Sequence, residues 1–391
     1  MLLLAIETSC DETAAAVLEV RGRGSEGEGS GEVGGRGSGV GGDARSDRAG
    51  LPEAVVLSDV VASQIEDHAP YGGVVPELAC RRHVEVISQT VESALDEAGV
   101  AMRDVGLISV VKGPGLIGAL LVGVSFAKAL ARSLDLPIVG VNHVEAHLYS
   151  AVMSNEGVEF PAVGLVVSGG HTMLFLMEDF GQYRWLGGTV DDAVGEAGDK
   201  VATLLGLPYL GGPLVEKLAA GGNARAIDFP RAMMQRGSYD FSYAGLKTAV
   251  LYHVKGYAGA RREPHAINDA ARADIAASYQ AAAFEPLVTK TLWAADEFAA
   301  RSAVVCGGVS RNQALRGLFE EAGAEGNVRV YFPAKELCTD NAAMVAGLGA
   351  WRAARFPDEV TEDFDAFPNF ETFGSFEGYR DPRARRRKKA R

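Results

Sequence analysis

The chain opens on an apolar run, Leu2 to Ile6, then a polar stretch, Glu7-Thr8-Ser9-Cys10-Asp11-Glu12-Thr13, and a second apolar run, Ala14 to Val20. Two short apolar runs around a polar turn predict a β-hairpin. The pattern then stops. Between Arg21 and Gly50 twelve glycines stand among thirty residues, with five arginines, five acids and almost no large apolar side chain. Such a segment buries too little surface to offset its ordering entropy and is expected to be a disordered Gly-rich insert. Ordered sequence resumes at Ala54 to Ala62. A helical period covers Glu77 to Glu97, followed by a strand at Leu107 to Val111, a small-residue helix to Ala131 and a strand at Pro137 to Val141.

The theme then repeats. Ala162 to Glu178 is a strand-turn-strand unit with Ser168-Gly169-Gly170-His171-Thr172 at its tip, which mirrors the first hairpin and implies an internal duplication. A buried strand, Ala303 to Cys306, enters Gly307-Gly308 and a helix from Gln313, and an Ala-rich helix covers Ala342 to Ala354. Strands alternating with helices indicate an α/β protein with largely parallel sheets. Two hairpin-tip loops and a Gly-Gly strand-to-helix turn are the parts of the actin-like ATPase (ASKHA) fold, in which two duplicated lobes enclose a ligand cleft. Residues 1–142 and 143–350 are the expected lobes, and 351–391 an extension ending in the basic run Arg380 to Arg391. A like-charge run of this kind is either a solvated tail or an arm for RNA phosphates.

Bulk properties bound the function. With 391 residues, 47% of them apolar, the chain can build two domains with a sizeable core. No apolar run approaches the ~18 residues of a membrane span, and the start reaches an acid at Glu7 too soon for a signal peptide. Cys10, Cys80, Cys306 and Cys338 lack metal or disulfide spacing, as expected in a reducing cytoplasm. The net charge of −13 does not advertise a nucleic-acid binder, so any such contact needs a local basic patch or a partner.

Candidate chemistry centres on His143-Val144-Glu145-Ala146-His147. An i,i+4 pair on a helix sets both imidazoles on one face, ready to share a metal. The metallopeptidase pattern with the same spacing needs its acid directly after the first His. Glu145 instead lies two positions on, roughly 200° around the helix, which argues against a peptidase. A carboxylate would complete an open metal site, and Asp340 is the best candidate, although Thr339 or Asp340 could equally be the N-cap of the following helix.

Ser168-Gly169-Gly170, Gly307-Gly308 and Gly211-Gly212-Pro213 could each point backbone amides at an anion, or be plain turns. The spacing Gly113-x-Gly115-x-x-Gly118 matches a dinucleotide fingerprint, but Asp135 precedes the next strand instead of ending it. These glycines are therefore expected to make a tight turn with close packing. No P-loop sequence is present. Asp191-Asp192 through Asp199-Lys200 is expected to be an acidic helical segment, either a self-paired solvated face or a wall of acceptors for hydroxyls and amines.

Taken in order, these motifs resemble one family. They are Ile6 to Thr13, Ala69-Pro70-Tyr71-Gly72-Gly73-Val74-Val75-Pro76-Glu77, His143 to His147, Val167 to Thr172, Asp191 to Lys200, Gly211 to Pro213, Asp240 to Thr248, Cys306 to Val309 and Asp340-Asn341. Together, over most of residues 1–350, the chain is similar to the tRNA N6-adenosine threonylcarbamoyltransferases of the bacterial TsaD type, formerly named O-sialoglycoprotein endopeptidases.

The resemblance implies one divalent metal, usually Fe(II), at His143, His147 and Asp340. It implies a threonylcarbamoyl-AMP site at Val166, Val167, Ser168, Gly169, Gly170, Asp199, Gly212 and Asn312. The implied reaction transfers the threonylcarbamoyl group to N6 of adenosine 37 in tRNAs reading ANN codons, forming t6A. Implied partners are tRNA, a paralogous actin-like subunit and a P-loop ATPase, with no membrane. Asp11 and Glu12 become candidates to assist deprotonation of the attacking amine, a turn-stabilising role being the other reading. Three features depart from the family: the Gly/Arg insert, Gly198 where relatives commonly carry Phe, and the basic tail. A metallopeptidase and a non-catalytic actin-like scaffold are the competing readings.

Overall fold

The computed structural model describes residues 1–21, 53–256, 267–370 and 376–378; the Gly-rich insert and the basic tail lie outside them. Strands β1 (Leu2–Glu7) and β2 (Glu12–Arg21) form the expected hairpin, in register from Leu2↔Glu19 to Glu7↔Ala14. A third strand, β3 (Glu53–Ser63), pairs antiparallel with β2. On the other side of β1, β4 (Val105–Gly113) and β5 (Ile138–Asn142) add in parallel. The order is β3-β2-β1-β4-β5.

The second half repeats this plan. Strands β6 (Ala162–Val167), β7 (Thr172–Asp179) and β8 (Gln182–Gly188) form an antiparallel meander. Strands β9 (Ser302–Cys306) and β10 (Arg329–Tyr331) extend it in parallel from β6. Read as β8-β7-β6-β9-β10, the second sheet has the first sheet's order, and β11 (Phe376–Glu377) adds beside β8. The sheets are therefore mixed, not largely parallel. Each lobe starts with a meander joined by short turns, which forces antiparallel neighbours, and only later strands arrive through helical crossovers.

Strands such as Leu-Leu-Leu-Ala-Ile are apolar on both faces because helices cover both. Helices α1 (Ile65–His68) and α2 (Pro76–Ala98) precede β4, and α3 (Ile117–Leu134) follows it. Both α2 and α3 bury their apolar faces on the outer side of the first sheet, where Ile87, Val91 and Val124 meet Leu4, Ile6 and Val17. Among the described residues α3 alone is long and apolar enough to cross a membrane, with mean hydropathy 1.5 over its 18 residues. Its Ala119, Leu120, Val124, Ala127 and Ala131 face is buried in the protein instead.

Between the sheets lie α4 (His143–Ser154) and α10 (Ala342–Arg355), nearly all of whose residues are buried. Helix α10, from the end of the chain, packs on β1, β2 and β4 of the first sheet, whereas α4 contacts β6 and β9 of the second. The outer side of the second sheet is covered by α5 (Val194–Leu204), α7 (Ala244–Lys255), α8 (Asp269–Glu297) and α9 (Gln313–Gly326), with α6 (Gly211–Ala219) between α5 and α8.

Candidate metal centre and ligand cleft

The two histidines owe their position to a strand end and a cap. Strand β5 stops at Asn142, whose Oδ1 accepts from the amides of Val144 (2.8 Å) and Glu145 (3.1 Å) and so starts α4 at His143. The rings of His143 and His147 then stack one turn apart, centroids 4.7 Å from each other and edge to face. Asp340 reaches them from just before α10. The cap of α10 is Asn341, which accepts from the Met344 amide at 2.8 Å, so the Asp340 carboxylate is not taken by the helix. Its Oδ1 lies 3.1 Å from His147 Nε2 and 3.6 Å from His143 Nε2.

One donor atom from each of the three residues falls within 4.8 Å of the others. Two buried imidazole nitrogens and one half-buried carboxylate oxygen converge here and fit a divalent metal with open coordination positions. Burial alone would lower the His143 imidazole, but the Asp340 and Glu7 carboxylates outweigh it and hold it up at about 9. Burial likewise opposes ionisation of Asp340, yet His143 and His147 keep its carboxyl well below the usual range. The Asp340 carboxylate is thus kept ionised beside the two imidazoles, as a bound cation would need.

Glu7, the last residue of β1, completes the geometry and was missed in the sequence, where it ends an apolar run without any pattern. It is fully buried, and its Oε2 lies 3.1 Å from His143 Nδ1, with Ser9 Oγ 3.2 Å from the same nitrogen. A carboxylate on Nδ1 fixes the tautomer and leaves Nε2 for a metal. Also missed was His171, whose ring centroid lies 6.1 Å from that of His143. Glu145 turns away as expected: both its oxygens accept from Arg352 Nη1, at 2.9 and 2.8 Å.

Around this centre stand the remaining candidates. Val166 and Val167 end β6, fully buried, with Val166 paired to both β7 and β9 and Val167 to β7, so they lead into the Ser168–Gly170 turn without exposed side chains. Ser168 to His171 close a tight turn, the Ser168 amide donating to His171 O and the His171 amide to Ser168 Oγ. Above Gly169 and Gly170 nothing lies within 4 Å of an added Cβ. Gly307, at φ +90, is different: a Cβ there would meet Val167 O at 2.4 Å, so β9 and β6 admit no side chain at that turn. Asn312 caps α9 through the Leu315 amide at 3.1 Å.

Two expectations change. The amides of Gly211 and Gly212 are not open to an anion, since Asp199 Oδ1 accepts from both, at 2.9 and 3.1 Å. Burial raises the Asp199 carboxyl despite these bonds. The acidic helical segment also starts later, at Val194, and its acids are partnered. Asp191 accepts from the amides of Tyr243 and Ala244 at the start of α7, while Lys200 joins Asp192 and Glu196 at 3.0 and 2.8 Å. At the first hairpin tip Glu12 is pushed up to about 9 by burial, then by Asp11 and Asp340. The Gly113–Gly118 turn is closely packed: Cβ atoms at Gly113 and Gly115 would meet the Phe367 and Ser9 carbonyl oxygens at 1.9 and 2.4 Å.

The chain is similar to known proteins. The family profile of TsaD, tRNA N6-adenosine threonylcarbamoyltransferase, matches residues 55–347. The chain belongs to that family. A threonylcarbamoyltransferase of Moorella thermoacetica is 48% identical over 343 residues, covering 88% of this chain and 89% of the relative. One of Syntrophotalea carbinolica is 46% identical over 365 residues, covering 93% and 94%. Among solved structures, full-length HypF in the phosphate- and nucleotide-bound form aligns with TM-score 0.53 at 14% identity, over 90% of this chain and 46% of that one. At such identity the likeness establishes the fold alone, which is the actin-like one. The threonylcarbamoyltransferase family is a family of transferases, and neither a peptidase nor a scaffold finds support.

Proposed function

We propose that the chain transfers the threonylcarbamoyl group of threonylcarbamoyl-AMP to N6 of adenosine 37 in tRNAs reading ANN codons, forming t6A and releasing AMP. The observation that carries this reading is the His143-His147-Asp340 cluster beside the Ser168–Gly170 turn, in a chain 48% identical to a named transferase. Residues 1–142 and 143–350 act as the two lobes, with 351–391 as an extension.

His143, His147 and Asp340 would hold the metal, for which we favour Fe(II) because two imidazoles and one carboxylate are a donor set that suits that ion. When bound, such an ion supplies positive charge to oxygens of the adenylate. The chain's own groups do the rest. The Val166–Gly170 segment, with open space above Gly169 and Gly170, lines the adenylate together with the open face of Gly212 and with Asn312. Asp199 supplies an acceptor for a hydroxyl or amine. Asp11 and Glu12 face the same centre from the hairpin tip and orient the attacking amine, whose weak basicity makes placement matter more than proton removal.

Partners fit this reading. Val84 on α2 and Ile117 and Leu121 on α3 are exposed at 62%, 45% and 48%. Exposed apolar side chains on two helices that pack together suit a paralogous actin-like subunit, with a P-loop ATPase joining the assembly. tRNA is the acceptor, and the cytoplasm, where tRNA is modified, is the proposed location.

The test is mass spectrometry of nucleosides from tRNA incubated with this protein, its partners and threonylcarbamoyl-AMP, beside His143→Ala. Threonylcarbamoyladenosine formed only with the intact histidine supports the reading. No product, under conditions in which a relative is active, would sink it.

A further inference from the structure

One buried side-chain network lies outside the metal centre and its ligand loops. Thr13, Gln64, His68 and His83 are at most 1% exposed, below the first hairpin tip. Their proton positions follow from the two main-chain groups at the ends. The Cys10 carbonyl can only accept, so the His83 Nε2 atom 3.0 Å away carries the proton. The Val75 amide can only donate, so His68 Nδ1, 3.3 Å away, is the acceptor and His68 Nε2 carries its proton. His68 Nε2–H then donates to Gln64 Oε1 at 3.3 Å, which turns the Gln64 amide nitrogen toward His83 Nδ1 at 3.4 Å. Thr13 Oγ1 donates to the same Nδ1 at 2.7 Å.

Every link runs in one direction, from Val75 to Cys10, and both rings are neutral. Burial lowers the His83 imidazole, in keeping with that state. The two ends are informative. Val75 belongs to the Ala69–Glu77 motif, for which the metal centre and its ligand loops offer no role. Its turn residues Gly72 and Gly73 have open space above them, and Tyr71 is 68% exposed. Cys10 is the residue before Asp11 and Glu12. The Gln64 main-chain N–H also donates to the Asp11 carbonyl at 3.1 Å, so the tip is held from two sides.

We infer that His83 is a positioning residue for the transfer: through the Cys10 carbonyl it fixes the acidic tip Asp11-Glu12 opposite the metal centre, and through Gln64 and His68 it ties that tip to the exposed 71–75 loop. The inference rests on the transferase reading. His83 touches neither metal ligand nor substrate, so its removal should alter turnover more than binding.

The test compares wild type, His83→Ala and His83→Gln in the reconstituted assay, with kcat, KM for tRNA and for threonylcarbamoyl-AMP, bound metal per chain and Tm. Glutamine keeps a donor near the Nε2 position and so can rescue the Cys10 bond. The expected result is a loss of about tenfold to a hundredfold in kcat for His83→Ala at unchanged KM and metal content. His83→Gln should recover most of it. Wild-type turnover in His83→Ala overturns the inference. So does equal loss in both variants, or a loss that follows a drop in metal content or Tm, because these mark a merely structural role. A wild-type arm that makes no product overturns the transferase reading itself, and the inference with it.

Discussion

At the level of single residues the centre depends on a group that no motif marks. Glu7 touches no metal position, yet it is the carboxylate on His143 Nδ1. Glu7→Gln keeps the shape and removes the charge, and should weaken divalent-metal affinity about tenfold to a hundredfold, measured by competition against a chelator. Unchanged affinity would show that Ser9 alone suffices to orient the ring.

Gly198 offers a second test. It sits in the middle of α5 with no strained φ, and an added Cβ meets only the Tyr279 hydroxyl at 3.8 Å. That hydroxyl is buried without a hydrogen-bond partner among the described residues. Gly198→Ala should therefore stabilise the protein by about 0.5–1 kcal/mol in denaturant unfolding, through helix propensity alone. A destabilised variant would mean that Tyr279 cannot yield. Residue types and local spacing disclosed the His pair and even Asp340. The distances that decide their role join positions about two hundred residues apart, and those come from the fold. Elements show where the divide lies.

The hairpins, α2, α9 and α10 follow from period and caps to within a few residues, because each is decided locally. The mixed sheet order, and the packing of α10 on the first sheet, are not local. They follow from which apolar faces remain uncovered after both meanders form. One such contact makes a pH prediction. Asp59 on β3 accepts at 3.1 and 3.2 Å from the first two amides of α10. Burial nevertheless raises its carboxyl to about 6, the amides opposing. Between the usual carboxylate value and 6 the folded chain keeps a proton that the unfolded chain has released. This group's contribution is thus complete in acid and declines as pH rises through 6. Asp59→Asn still accepts both amides and carries no charge. It should gain on the order of 1–2 kcal/mol at pH 7.5 and flatten the stability profile between pH 4 and 6. If the variant is less stable at pH 7.5, the carboxylate's attraction to the helix N-terminus exceeds its burial cost.

Across the whole molecule the two sheets are joined not only by α4 and α10 but by the chain end. After Arg355, Val360 bridges Val139 on the edge of the first sheet. The Phe364 ring lies 4.5 Å from Lys128 Nζ, and the Phe367 amide donates to Lys112 O at 2.7 Å. Phe370 and Phe376 then pack on Phe175 of the second sheet, at centroid distances of 5.8 and 5.1 Å, and β11 pairs with β8. The segment's described residues, up to Phe370 and again at Phe376–Glu377, thus touch both sheets beside the strands β5 and β8. Its aromatic residues were visible in the sequence as an acidic, Phe-rich stretch, but nothing local says that they cover two sheets.

If this strap holds the sheets together, a chain ending at Arg355 loses two buried phenylalanines, Phe370 and Phe376, and an edge pairing, on the order of 5 kcal/mol. Its Tm should fall by about 5–10 °C, with Phe376→Ala falling by roughly a third as much. Calorimetry on both variants decides the point. Equal Tm values for the truncated and full chains would mean that α4 and α10 alone join the sheets, and that the strap only covers their edges.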